Sequence, residues 1–324
     1  LGHYQSDYSK VIVYFVRRIG FFFLTLLLTS ILIFGVTYLL PGDVTGAILG
    51  RTALPQEREQ LSHELGLDQP IATQYVTWLT HFVRGDWGSS YSLKVPIAPL
   101  VLRRMQNSLQ LALVALIFSI PPALALGVIA GLNENTWLDT LISVGSLILV
   151  GLPEFVTGLI LINTLALQWH IFKASSAIDP DATFFEVLPQ LIMPALTVAA
   201  VLMAYIVRLT RVGVITELRR NYVRTATLKG LAYWQVIFKH VLRNALLPTI
   251  TVIAISLGWL IGGLVVTETV FAYPGLGLLL QRAIQDRDLP LIHAVVMVMV
   301  AVFMLANLFA DLLYAYLNPR IRLS

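Results

Sequence analysis

Six apolar stretches constrain this chain more than any other feature: approximately Ile19–Leu40, Leu109–Leu132, Leu141–Leu167, Leu191–Leu209, Ala245–Val270 and Leu291–Leu317. Each can cross a hydrocarbon core, which takes about 20 helical residues. None alternates polar and apolar residues as the strands of a membrane barrel do. Lipid offers no water to satisfy backbone groups, so helices are the remaining way to span it. Charge content agrees, since 12% of the residues are charged against about a quarter in soluble domains. The expected fold class is an all-α membrane protein with six transmembrane helices.

The first apolar stretch follows Lys10, Arg17 and Arg18. It exceeds the roughly 7–15-residue core of a secretory signal, and no small-residue cleavage site follows it. We read it as an uncleaved anchor. Orientation follows from the basic residues, which favour the cytoplasmic side. With both termini inside, the cytoplasmic segments hold 13 of the 22 Lys and Arg. The reading is therefore N-in and C-in.

The linear organisation reads as a cytoplasmic N-terminus (1–18), a first transmembrane helix (19–40), an external helical subdomain (41–106), a five-helix core (107–318) and a cytoplasmic tail (319–324). The external segment carries six basic and six acidic residues and has the pattern of short amphipathic helices. Leu61, Leu65, Tyr75, Trp78 and Phe82 are its expected apolar contacts. Within the core, the segment 212–244 is basic and helical in pattern.

Several chemistries are excluded. The chain has no cysteine, so disulfides, thiolate metal sites and cysteine nucleophiles are absent. No two of its six histidines stand at metal-ligand spacing, and no metal site is expected. His63-Glu64 lacks the second histidine of H-E-x-x-H, and no G-x-S-x-G occurs, so no catalytic residue is assigned. No G-x-x-x-x-G-K-[S/T] phosphate loop is present either, so the chain is not expected to bind ATP. Its basic residues lie in loops between apolar segments rather than in a soluble patch, which argues against nucleic acid as a partner.

The most informative segment is N-Y-V-R-T-A-T-L-K-G-L-A-Y-W-Q-V-I-F-K-H-V-L-R-N-A-L-L-P, Asn221 to Pro248. It reads as a short helix, a break at Gly230 and a second helix running into the fifth span. Glycine reaches backbone angles closed to other residues and so permits a tight turn there. A short helix held at the foot of a bundle suits docking into a groove on another protein.

At these residues the chain resembles the dipeptide/oligopeptide/nickel-type permeases of ABC importers, the binding-protein-dependent inner-membrane components, and within them the B-type member of the permease pair. Their cytoplasmic loop follows E-A-A, three residues, G, nine residues, I-x-L-P. Arg224-Thr225-Ala226 takes the E-A-A place, Gly230 matches, and His240-Val241-Leu242-Arg243 takes the I-x-L-P place. R-T-A with H-x-L-R-N is the form usual in the peptide branch. L-P-G-D at 40–43, L-G-L-D-Q-P at 65–70, R-G-D-W-G-S-S at 84–90, T-E-T-V-F-A-Y-P-G-L-G at 267–277 and D-L-L-Y-A-Y-L-N-P-R at 311–320 extend the resemblance over nearly the whole chain.

The resemblance implies a heterodimer with a second homologous permease, two ATP-binding subunits that hold ATP and Mg, and an external solute-binding protein. It implies ATPase coupling through Arg224, Thr225, Ala226, Lys229, Gly230, His240, Leu242 and Arg243. No cofactor is expected on this chain, which would act as a non-ATPase subunit importing peptides or similar small solutes.

Candidate pathway residues follow from the expense of charge in lipid. Glu154 falls halfway along the third apolar stretch, and a carboxylate at the bilayer centre costs roughly 2.5–3.5 kcal/mol, so it should face protein or a wet cavity. Its functional reading is contact with a solute amine; its structural reading is a glutamate satisfied by a neighbouring helix, or simply protonated. Glu268, with Pro274, Gly275 and Gly277, is expected to form a helix-breaking turn at an outer gate. Two other classes stand against the importer: a stand-alone secondary transporter or channel, and a membrane scaffold that carries no solute.

Overall fold

The computed structural model describes residues 2–39, 44–49, 54–64, 66–178 and 184–317. The Leu40–Asp43 motif, Leu65 and the tail lie outside them. Helices follow in chain order as α1 (Gly2–Leu39), α2 (Val44–Leu49), α3 (Pro55–Glu64), α4 (Ile71–Val83), α5 (Ile97–Leu132), α6 (Trp137–Gly151) and α7 (Glu154–Leu161). Then come α8 (Phe184–Leu218), α9 (Asn221–Leu228), α10 (Tyr233–Gln235), α11 (Leu242–Ala245), α12 (Leu247–Val270), α13 (Leu276–Gln285) and α14 (Leu289–Leu317). Wider π-type turns extend α7 over Ile162–Gln168 and join α10 to α11 over Val236–Val241. Among the described residues the only extended pairing is an isolated bridge between Ser89 and Pro96.

Among the described residues, four helices are long and apolar enough to cross a membrane: Arg17–Leu39, Ile97–Leu132, Phe185–Leu218 and Leu289–Leu312. Two bent pairs, Trp137–Gly151 with Glu154–Gln168 and Tyr233–Ala245 with Leu247–Ser256, bring the number to six if each is one span. Apart from Leu40, outside the described residues, the apolar runs lie along α1, α5, α6 with α7, α8, α11 with α12, and α14, although α5 and α8 begin well before theirs.

The third run departs from expectation. It is not one helix with Glu154 at its middle, but two helices bent by 105°. The cause is local. Proline disfavours the helical conformation of the residue before it, and Leu152 sits at φ −84°, ψ 127° ahead of Pro153. Pro121 and Pro122 in α5, and Pro189 and Pro194 in α8, leave their helices unbroken. Packed neighbours in membrane bundles often satisfy the carbonyls that such prolines free.

The described residues divide into two compact units, 1–108 with 274–304, and 109–273 with 305–324. In the first, Ile97 and Val101 pack with Leu276, Leu279, Ala283, Leu291 and Val295. Its helix α4 brings together the expected aromatics: Tyr75 and Trp78 meet Phe34, and Phe82 stacks on Trp87. Trp78 also meets His293, whose Nε2 hydrogen-bonds Thr37 Oγ1 at 2.6 Å. The R-G-D-W-G-S-S loop is tied down by buried Asp288, which accepts Ser90 Oγ at 2.5 Å and Ser92 N–H at 2.9 Å.

In the second unit α8 packs against α6, α7, α11 and α12. Leu111, Leu191, Leu202, Ile206, Leu260, Leu264 and Tyr273 fill its main core. A smaller cluster of Val214, Val223, Ala226, Val236, Ile237, Val241 and Ala245 fixes the polar loop beneath it.

Candidate functional site

The segment from Asn221 to Asn244 is a built surface rather than a slack loop. Val223 and Ala226 turn one face of α9 inward. Arg224, Thr225, Leu228 and Lys229 lie on the outer one. α9 then ends in a glycine-centred cap. Gly230 N–H donates to Thr227 O at 3.0 Å and Leu231 N–H to Ala226 O at 3.4 Å. This pair of bonds needs a left-handed residue between them, and Gly230 has φ +77°. Beyond it, Leu231 packs against the small cluster.

The residues singled out by sequence thus divide by direction. Ala226 and Leu242 face the cluster, Gly230 makes the turn, and Arg224, Thr225, Lys229 and Arg243 are exposed. His240 is half-buried, and its carbonyl accepts Asn244 Nδ2 at 3.2 Å. Tyr222 ties the two arms together: its hydroxyl donates to Glu217 at 2.5 Å and accepts Asn244 Nδ2 at 3.2 Å. Burial first, and the bond to Glu217 next, raise the phenol above its usual pKa.

The sequence reading missed the apolar part of this surface. Leu228 is 80% exposed, Trp234 60% and Phe238 65%. Tyr233, Trp234 and Phe238 form a continuous aromatic row. Helical periodicity did not reveal it: seven residues on from Trp234, Val241 would share its face in an α-helix, and it is the wider π-type turns over Val236–Val241 that accompany the split into exposed and buried residues. The second helix also differs in shape, since its π-type turns and a 45° bend precede α12.

Glu154 opens the first turn of α7, where a negative charge is favoured by the exposed N–H groups of the helix. Thr267 Oγ1, on the last turn of α12, donates to its carboxylate. The next residue on α12, Glu268, is fully buried, and its carbonyl accepts Tyr273 N–H at 2.8 Å. One turn along α7 from Glu154, the buried hydroxyl of Thr157 makes no hydrogen bond. Gly158 lets α7 approach Val270 and the Phe271 ring, both 3.2 Å from where a Cβ would stand.

The helix-breaking turn after Glu268 is present but is built differently from expectation. α12 ends at Val270 with a left-handed residue at Ala272, φ +51°, rather than at a glycine. Pro274 and Gly275 lie between helices: Asn107 Nδ2 donates to Pro274 O and Leu276 N–H to Ser108 Oγ, both at 2.8 Å. Gly277 is not part of the turn. It is the second residue of α13, buried, because Gly275 is extended and already serves as that helix's N-cap.

Residues 123–323 match the family "Binding-protein-dependent transport system inner membrane component", and residues 11–117 match its N-terminal membrane-component family. A probable peptide ABC transporter permease protein, y4tP of Sinorhizobium fredii, is 35% identical over 96% of this chain and 99% of its own length. The dipeptide transport system permease protein DppB of Escherichia coli K12 is 32% identical over 95% of this chain and 98% of its own. The glutathione transport system permease protein GsiC of the same strain is 33% identical over the same shares.

Proposed function

The chain belongs to the binding-protein-dependent transport system inner membrane components, and on that premise we propose that it imports short peptides or peptide-like solutes through a path shared with a second, related permease. It is a multi-pass permease subunit of an ABC transporter, and ATP is hydrolysed by partner subunits. The relatives' names carry peptide, dipeptide and glutathione. All three solutes are small zwitterions with amide backbones, and that shared chemistry is the class we assign. Both termini lie on the cytoplasmic side of a bacterial inner membrane, and an external binding protein delivers the solute.

The observation that carries the coupling role is the outward face of α9 and of the segment after Gly230. There Leu228, Trp234 and Phe238 form an apolar centre, with Arg224, Lys229 and Arg243 also exposed. Interfaces concentrate their energy in such aromatic and arginine anchors. Two ATPase subunits dock on this loop and on its counterpart in the second permease. Thr225 and His240 hold the ends of the docking segment, and Ala226, Gly230 and Leu242 set its shape. Glu154, held by Thr267 at the start of α7, contacts the solute's ammonium group, and the outer turn at Pro274 and Gly275 contributes to the gate. Glu268 and Gly277 support the helices that flank that turn.

Reconstitution tests this reading. The chain is placed in liposomes with its partner permease, both ATPases and the binding protein, and labelled dipeptide uptake is followed. Uptake that requires ATP, the binding protein and both ATPases is expected. Uptake by this chain alone, without ATP, would instead make it a stand-alone secondary transporter.

A further inference from the structure

The turn between α5 and α6 carries a buried carboxylate that the coupling role does not by itself require. Thr136 caps α6, its hydroxyl accepting Asp139 N–H. Asp139 lies in the first turn and accepts Arg211 Nε at 2.5 Å and Nη2 at 2.7 Å, a two-pronged pair. Ser143 Oγ at 3.1 Å and Asn135 N–H at 3.0 Å complete its acceptor sites. Such a planar, doubly bonded pair fixes direction as well as distance. Arg211 stands on α8, one helix ahead of α9.

Other contacts join the same elements. Arg219 Nη2 meets Glu134 Oε1 at 2.7 Å. Gly127 and Gly131 of α5 press directly on α8: a Cβ on the first would lie 2.5 Å from Thr210 Cβ, and on the second 2.7 Å from Val214 Cβ. From the opposite side, a Cβ on Gly213 would lie 2.4 Å from Ala245 O. Small residues at these points let helices approach closely and lock together. The end of α5, the start of α6, the end of α8 and the segment through α11 are thereby one block. From that block α6 leads directly to the Leu152–Pro153 bend and to Glu154.

We propose that Asp139 and Arg211 are positioning residues that pass the displacement of α9 into α6 and so drive the bend at Pro153. The proposal rests on the coupling reading of α9. The Asp139–Arg211 pair makes α6 follow α8 rather than slide against it. Glu154 then moves with the ATPase cycle, although it touches no part of the docking surface.

The test uses the complete reconstituted complex with Asp139→Asn, Arg211→Lys and the swapped pair Asp139→Arg/Arg211→Asp. Asp139→Asn should assemble with both ATPases and keep basal ATP hydrolysis within about twofold, while ATP consumed per peptide rises about tenfold. The swapped pair should recover part of that ratio. Spin labels at Trp137→Cys and Gln235→Cys, in a chain with no native cysteine, should keep one separation with and without ATP, and lose it in Asp139→Asn. An unchanged ATP-to-peptide ratio in Asp139→Asn, or labels that move apart in the unmodified pair, overturns the proposal. So does a loss of assembly that the swapped pair does not repair, which would make the pair a folding element only. Failure of the coupling reading is seen separately, as uptake by the unsubstituted complex without ATP.

Discussion

α9 and α12 end in the same hydrogen-bond pattern and in opposite surroundings. After α9 the left-handed residue is Gly230, exposed, with open space where a side chain would stand. After α12 it is Ala272, between Phe271 and Tyr273, both fully buried. A left-handed alanine costs roughly 1–2 kcal/mol, which the burial of two aromatic rings offsets. Beside Gly230 the half-buried Leu231 packs instead, and that cap relies on glycine. The difference separates two tasks. One turn is held by the protein's own core, and the other has open space beside it, as the proposed docking requires.

Substitutions can break that comparison. Leu228→Asp places a charge at the centre of the inner surface, and peptide uptake should fall by about thirtyfold or more, the loss of one strong anchor. The permease pair should still purify together, now without ATPases. Gly230→Ala meets no neighbour, so its effect is backbone strain alone, about tenfold in ATP-driven uptake. Gly230→Asn should recover most of it, because asparagine tolerates this conformation better. Equal losses in the two variants would show that space rather than φ matters at the turn.

The outer turn should respond more weakly. Glu154→Gln keeps a partner for Thr267 but removes the charge, and dipeptide uptake should show a KM raised about fivefold with little change at saturation. A fall at saturation instead would place Glu154 in the conformational cycle rather than in solute contact. Ala272→Gly relieves the left-handed strain but adds chain entropy to the unfolded state. The two nearly cancel, and the unfolding temperature of the complex should rise by about 2 °C, with uptake unchanged.

Much of this was legible in the sequence. Apolar runs longer than a bilayer fixed the helical class, and Gly230 gave away its turn as a glycine between two helical patterns, its spacing from Ala226 and Leu242 speaking only through the family resemblance. The bend at Pro153 was hidden because hydropathy is continuous through Leu152 and Pro153, while the conformational bar acts on the residue before the proline. Gly277 was assigned to the turn because a glycine two residues after a glycine resembles a loop; the earlier one had already capped the helix. Leu228, Trp234 and Phe238 were not singled out because they are apolar like the buried Val236, Ile237 and Val241 nearby, and only the structure shows that they are exposed. Asp139 and Arg211, 72 residues apart, share no local pattern at all.

The most direct test of the coupling role is a photo-reactive side chain at Leu228, activated in native membranes with and without ATP. The account predicts a covalent adduct with an ATP-binding subunit, whose yield changes with the nucleotide state. An adduct with lipid alone, or with the external binding protein, would contradict it.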